Sequence, residues 1–212
     1  MQTKFLLCVL ALGATVFAAQ AQSYVEAMPG YAAAQGSSPI YGSQSGPVGW
    51  TFQPATDIDV TALGAFTNLV GGAGGFTFQV GLWNASGSLL ASQTVTSASI
   101  TVDQGKYADI IPLLLLASQT YYVAVYTPGA LEIPVGTPTM ASDIQLGPNA
   151  TSSQPSFTFP STVGSLSGSD VIIGPNFLFQ PLGVPEPSAP LLLSVGIGGL
   201  LALRRRVRCP RV

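Results

Sequence analysis

The chain has 212 residues, enough for one ordinary domain once processing segments are set aside, and its formal charge of -2 hides a strong asymmetry. Five of the seven Lys and Arg (Arg204, Arg205, Arg206, Arg208 and Arg211) crowd the C-terminal end, Lys4 lies near the N-terminal end, and Lys106 stands alone between them. The body from Gln22 to Gly183 therefore sets one Lys against eight acids, a net of -7. With no histidine in the chain and no cysteine in that body, this excludes a nucleic-acid partner, a disulfide framework, a thiolate metal site and Ser-His catalysis.

Residues 1–21 read as a secretory signal peptide. Lys4 supplies the positive start, Phe5 to Ala19 the apolar run, and Ala19-Gln20-Ala21 the small-x-small pattern that signal peptidase cleaves, giving a mature start at Gln22. A single-pass anchor is the competing reading, but the run is short for a span and no stop-transfer charge follows it. Cys8 does not fit a lipoprotein site, because Leu7 stands where a small residue is needed. Residues 22–45, rich in Ala, Gly, Ser and Gln, read as a linker.

From residue 46 to 183 the chain alternates short apolar runs with Gly, Pro, Ser and Thr, the habit of an all-β, single antiparallel β-sandwich of jelly-roll-like kind. The clearest strand is Phe76 to Trp83, where Phe76, Phe78, Val80 and Leu82 share one face at period two. Asn84-Ala85-Ser86-Gly87 is a turn, and Ser88 to Thr96 returns as its hairpin partner. Thr120 to Thr127 is β-branched and aromatic throughout. Weaker strands are expected at Val48 to Phe52, Asp57 to Phe66, Tyr107 to Ile111, Ser156 to Phe159 and Phe177 to Gln180. Leu113 to Leu116, just after Pro112, reads as a buried connection or a strand edge.

Several groups in this body invite a chemical reading. Asp57 and Asp59, two residues apart, share a strand face and are candidate calcium ligands, calcium being the one cofactor the body suggests; the alternative is a solvated strand edge. Trp50, Trp83, Tyr107, Tyr121, Tyr122 and Tyr126 either pack in the core or stack on sugar rings. Trp83 is the best candidate for exposure, because it points away from Phe78, Val80 and Leu82 and lies beside the Asn84 turn. Trp83 and Asn84 are therefore the candidate ligand-binding residues. Asp103, Asp109 and Glu132 are the acids left for a glycosidase, with no supporting motif. Gly71 to Gly75 lacks the Gly-Lys-Ser/Thr ending of a phosphate loop and reads as a hairpin loop.

The last segment, 184–212, has three parts in fixed order. Val184-Pro185-Glu186-Pro187-Ser188 is held extended by its prolines, Ala189 to Leu203 is an uncharged apolar run of about 15 residues, and the arginines Arg204, Arg205, Arg206 and Arg208 form a stop-transfer cluster. This reads as a short transmembrane helix with the body outside and the arginines inside. A buried C-terminal helix is the alternative, but it leaves the arginines without a role.

These residues closely resemble the PEP-CTERM sorting signal of Gram-negative bacteria, also known as an ice-binding protein C-terminal domain. The resemblance implies recognition of Pro185, Glu186 and Pro187 by an exosortase, a membrane-embedded cysteine transpeptidase-like enzyme. It also implies removal of the tail, and release or surface transfer of a body associated with exopolysaccharide and biofilm matrix. The chain departs from the pattern only in running on from Cys209 to Val212. Ice binding has no support beyond that alternative name, since the threonines form no regular array.

In the body, Gly49-Trp50-Thr51-Phe52, Val60-Thr61-Ala62-Leu63-Gly64, Val80-Gly81-Leu82-Trp83-Asn84, Tyr121-Tyr122-Val123 and Gly174-Pro175-Asn176-Phe177-Leu178-Phe179 resemble an uncharacterised β-sandwich module of exported bacterial proteins. That resemblance bears on fold and not on activity. The expectation is an exported, non-catalytic surface or matrix protein that binds polysaccharide and is handled by signal peptidase and exosortase. The alternative is an exported carbohydrate-active hydrolase.

Overall fold

A computed structural model describes residues 24–33, 40–41, 46–66, 76–128, 131–132, 135–164 and 171–182. The signal-cleavage residues Ala19 and Ala21, the Gly71 to Gly75 loop, the Pro185-Glu186-Pro187 motif, the apolar run after it and the arginine cluster lie outside these residues. Among the described residues no helix is long and apolar enough to cross a membrane.

The described chain is all-β and its strands pair antiparallel. In order they are β1 (Val25–Glu26), β2 (Gly30–Ala33), β3 (Ile40–Tyr41), β4 (Val48–Pro54), β5 (Ile58–Phe66), β6 (Thr77–Asn84), β7 (Leu89–Thr96) and β8 (Ile100–Val102). There follow β9 (Gly105–Leu115), β10 (Tyr121–Tyr126), β11 (Leu131–Glu132), β12 (Val135–Thr139), β13 (Ile144–Thr151), β14 (Thr162–Gly164), β15 (Val171–Ile172) and β16 (Pro175–Pro181). Two sheets dominate: a five-stranded one in the order β1-β16-β5-β9-β8, and a six-stranded one in the order β14-β13-β4-β10-β6-β7. Two small sheets, β11-β3 and β15-β12-β2, complete the pairing.

Period-two patterning explains why the two large sheets stack. Val48, Trp50 and Phe52 on β4, Phe78, Val80 and Leu82 on β6, and Tyr121, Val123 and Val125 on β10 point inward. They meet Ile58, Val60, Leu63 and Ala65 of β5, and Phe177 and Phe179 of β16, in one core. At its centre Trp50 and Phe52 pack on Phe177, with ring centroids 6.0 and 4.8 Å apart. The Trp50 indole N–H donates to the Pro175 carbonyl at 3.1 Å, so its one polar atom is satisfied in the dry interior. The β6–β7 hairpin forms where the sequence places it. Asn84 Oδ1 accepts the N–H groups of Ser86 and Ser88, and Gly87 takes φ +82°, where a side chain is disfavoured.

Three expectations change. The linker over 22–45 is in part structural: Val25 and Glu26 pair with Phe179 and Leu178, and Ala27 and Met28 are buried in the core. Their partner strand β16 lies about 150 positions along the chain, beyond the reach of any local signal. The expected strand Ser156 to Phe159 joins no ladder. Its alternating phenylalanines mark one-sided burial, and Pro155 and Pro160 on either side lack N–H donors. Leu113 to Leu115 are not a connection: they end β9 beyond an irregularity in its register and pair with β5 alone, which is the strand-edge alternative.

Candidate functional site

The outward positions of the six-stranded sheet form the most differentiated surface among the described residues. Since Trp50 and Phe52 point inward, Gly49, Thr51 and Gln53 of β4 point outward, and register carries this parity across the sheet. Thr51 is level with Tyr122 and Trp83; Gly49 is level with Ala150, Ala124 and Gly81. The face thus holds a row of small residues, an aromatic group of Trp83, Tyr122 and Tyr126, and a polar end.

The polar end is a cleft of about 210 Å³ lined by Thr51, Gln53, Thr120 and Gln145 together with Phe52, Leu146, Gly147 and Pro148. A β-bulge creates it. Leu146 is opposite Phe52 but Asn149 is opposite Trp50, so β13 carries one extra residue there and bows away from β4. Thr51 Oγ1 donates to the Pro148 carbonyl at 3.0 Å and holds the bulge in place. Gln53 Nε2 donates to Thr120 Oγ1 at 3.0 Å, leaving the Gln53 carbonyl and the Thr120 hydroxyl hydrogen to address a ligand. Gln145 stands exposed at the rim. No Lys, Arg, Asp or Glu lines the cleft. Amides and hydroxyls of this kind exchange hydrogen bonds with neutral hydroxylated molecules; they do not supply an acid and a base near neutral pH.

The ligand-binding residues expected from sequence are placed differently. Trp83 does point away from Phe78, Val80 and Leu82, but it is not an exposed platform: only 3% of its surface is accessible. Phe157 lies against it at 5.3 Å, and the same ring approaches Tyr126 at 6.4 Å. Phe159 packs edge-on to Tyr122 at 4.8 Å. Asn84 is occupied by its own turn, its Oδ1 accepting from Ser86 N, Ser86 Oγ and Ser88 N. Trp50, Tyr107 and Tyr121 are buried.

The acids do not converge on this face. Asp57 Oδ1 accepts the Ala117 N–H at 2.8 Å and ties the β9–β10 turn to the start of β5, while Asp59 sits within β5 opposite Leu114 and Gln180. Among the described residues no group of three or more His, Cys, Asp or Glu comes together, so the calcium reading finds no third acidic ligand. Asp103 occupies the β8–β9 turn at φ 44°, Asp109 lies exposed on β9, and Glu132 belongs to the separate β11-β3 sheet.

A second polar cluster lies on the outward side of the five-stranded sheet, and sequence reasoning missed it. Glu26 is 6% exposed, and its Oε1 accepts from the Tyr107 hydroxyl at 2.7 Å. That hydroxyl accepts from Asn176 Nδ2 at 2.7 Å. Asn176 also donates to Met28 O and accepts from Met28 N and Phe177 N. The Tyr107 ring lies against Gly64, where a Cβ would collide with it. Glu26 Oε2 is buried without a hydrogen-bond partner. Burial raises the Glu26 pKa; the Tyr107 hydrogen bond opposes the shift, and the charge of Asp103 adds to it. Burial likewise raises Tyr107, with Glu26 adding to the effect. This cluster is buried beside Ala62, Leu178 and Val102, on the side of the five-stranded sheet away from the inter-sheet core. No family model matches the chain, and no curated protein is similar to it.

Proposed function

We propose that this is an exported, non-catalytic surface or extracellular-matrix protein whose jelly-roll-like body binds neutral polysaccharide. The observation that carries the proposal is the uncharged cleft of Thr51, Gln53, Thr120 and Gln145 beside an aromatic row. Sugar hydroxyls pair well with amides and hydroxyls, and their apolar ring faces stack on aromatic rings. An acidic body with one cation, Lys106, whose Nζ donates to Ser99 O, disfavours polyanionic chains.

Export and sorting rest on the two ends of the sequence. The signal peptide ending at Ala19-Gln20-Ala21 sends the chain out through signal peptidase. The tail built from Pro185, Glu186, Pro187, an apolar membrane helix and Arg204, Arg205, Arg206 and Arg208 resembles a PEP-CTERM signal, so an exosortase is the second processing partner. The helix holds the protein in the membrane until the tail is removed, and the body then resides at the cell surface or in the matrix.

The direct test is calorimetric titration of the full chain with cellohexaose and maltohexaose. Binding by the parent chain is expected, and Gln53→Ala together with Gln145→Ala should weaken it about tenfold or more, as the loss of two polar contacts implies. Absence of binding to both probes, by the parent chain and by a Phe157→Ala, Phe159→Ala variant alike, would sink the proposal. Release of reducing ends during the titration would instead favour the hydrolase alternative.

A further inference from the structure

The loop 152–161 between β13 and β14 does something hairpin loops rarely do. Its ends are joined by the Thr151–Thr162 pair at the β13–β14 edge, yet its two phenylalanines reach Tyr122 of β10 and Trp83 of β6. That reach spans three strand spacings, roughly 14 Å. Residues 152–161 enter no strand ladder. At its root Ser152 exchanges backbone hydrogen bonds with Gly46 and Pro47, both 2.9 Å. Beyond the root, Tyr126 Oη donates to Pro155 O at 3.1 Å, and the two phenylalanines lie against the aromatic rings and over the glycines Gly81 and Gly87.

This aromatic layer is separate from the core. None of Trp83, Tyr122, Tyr126, Phe157 and Phe159 belongs to the buried cluster between the sheets, and the two phenylalanines remain only half-buried. The loop can therefore lift without opening the core. The surface it would uncover is continuous with the cleft, because Tyr122 stands directly opposite Thr51.

We propose that loop 152–161 is a displaceable cover over an aromatic subsite, and that a neutral pyranose ring takes the place of Phe157 between Trp83 and Tyr126. The inference rests on reading the neighbouring cleft as a neutral-glycan site. In the closed state Phe157 occupies the subsite as an internal surrogate: a flat apolar ring on an aromatic wall, as a sugar face would be. A chain bound in the cleft by Gln53 and Thr120 gains this second contact only by displacing the loop. The cover therefore lowers apparent affinity by the fraction of molecules that are open.

The test is hydrogen–deuterium exchange on the full chain with and without saturating cellohexaose, beside titration of a Phe157→Ala, Phe159→Ala double variant. The probe is expected to speed exchange of amides 153–161 about tenfold while slowing those flanking Tyr122 and Trp83. The double variant is expected to bind about tenfold more tightly than the parent. If the probe binds the parent and amides 153–161 stay unchanged or slow down, the cover is overturned and the cleft reading stands. If only the double variant binds, the cover is supported and the cleft alone is insufficient. If neither chain binds, both readings fall. The exchange experiment uses the unmodified chain, so it decides the matter even where the double variant does not fold.

Discussion

Asn176→Leu is expected to destabilise the protein by about 3–5 kcal/mol, one of the largest effects of any single side chain, because it strips several buried groups at once. Asn176 has no accessible surface and makes four hydrogen bonds: to Met28 O, to the Tyr107 hydroxyl, and from the N–H groups of Met28 and Phe177. Leucine has the same branching at Cγ, is bulkier, and keeps none of them. Met28 N and O would face an apolar group in a site that water does not reach, each at a cost of about 1–3 kcal/mol. The effect should be directional as well as large. Residues 24–33 lose the side-chain bonds that reinforce their backbone pairing with β16, so their amides should lose exchange protection before those of β4 or β10. Thr61→Val, which removes one part-buried hydroxyl bond of 3.3 Å to Leu178 O, should cost about 1 kcal/mol or less. Chemical denaturation of both variants checks the contrast, and equal losses would refute the role assigned to the Asn176 network.

Glu26→Gln is expected to stabilise the protein by about 1–2 kcal/mol at pH above the folded-state value and to flatten its dependence on pH, since a buried carboxylate with one unsatisfied oxygen is replaced by a neutral amide of the same shape. The sign follows from the raised pKa. The unfolded chain releases the Glu26 proton near the ordinary value of 4.5, whereas the folded protein holds it to higher pH, mainly because burial disfavours the charge. Between those two values the folded state binds more protons than the unfolded state, so raising the pH favours unfolding. The contribution is fully present below pH 4.5 and is lost as pH rises through the folded value. The groups facing Glu26 are Tyr107 from β9, Asn176 from β16 and Asp103 from the β8–β9 turn, and none of them is a cation. Melting temperatures of the two chains should therefore converge in acid and separate as the pH rises. Parallel curves would show that Glu26 does not titrate in this window.

The two large effects lie where the sequence is least legible. Hairpin β6–β7, strands β4, β5, β10 and β16, and the all-β class follow from local signals: period-two alternation, a turn ending in Gly87, and β-branched runs. Side-chain parity on β6 is legible too, and Trp83 does face away from the core. What covers that opposite face is not local. The cover arrives from residues 152–161, some 70 positions away, and its alternating phenylalanines mimic a strand although the backbone between Pro155 and Pro160 enters no strand ladder. Glu26 has the same difficulty in sharper form. Beside Ala27, Met28, Pro29 and Gly30 it reads as an ordinary acid in a linker, and only pairing with β16 reveals that it is buried. The cleft combines Thr51 and Gln53 of β4, Gln145 of β13 and Thr120 just before β10, and the bulge that opens it hides in Gly147-Pro148, a dipeptide that reads as a turn. Asp57 and Asp59 illustrate the converse: their spacing suggests a shared site, while the folded chain uses Asp57 to hold Ala117.

In the proposed reading the two ends carry the address and the body does the binding. The ends carry charge and apolar length suited to membrane passage, and the body, stripped of His, Cys and nearly all cations, presents neutral hydrogen-bonding groups and aromatic rings. The most direct measurement of this account is the intact mass of the protein recovered from the matrix of the cells that make it. A species beginning at Gln22 and ending near Glu186 is the expected result, because both processing steps leave their mark on one number. A mass that still includes Arg204 to Arg208 would contradict it.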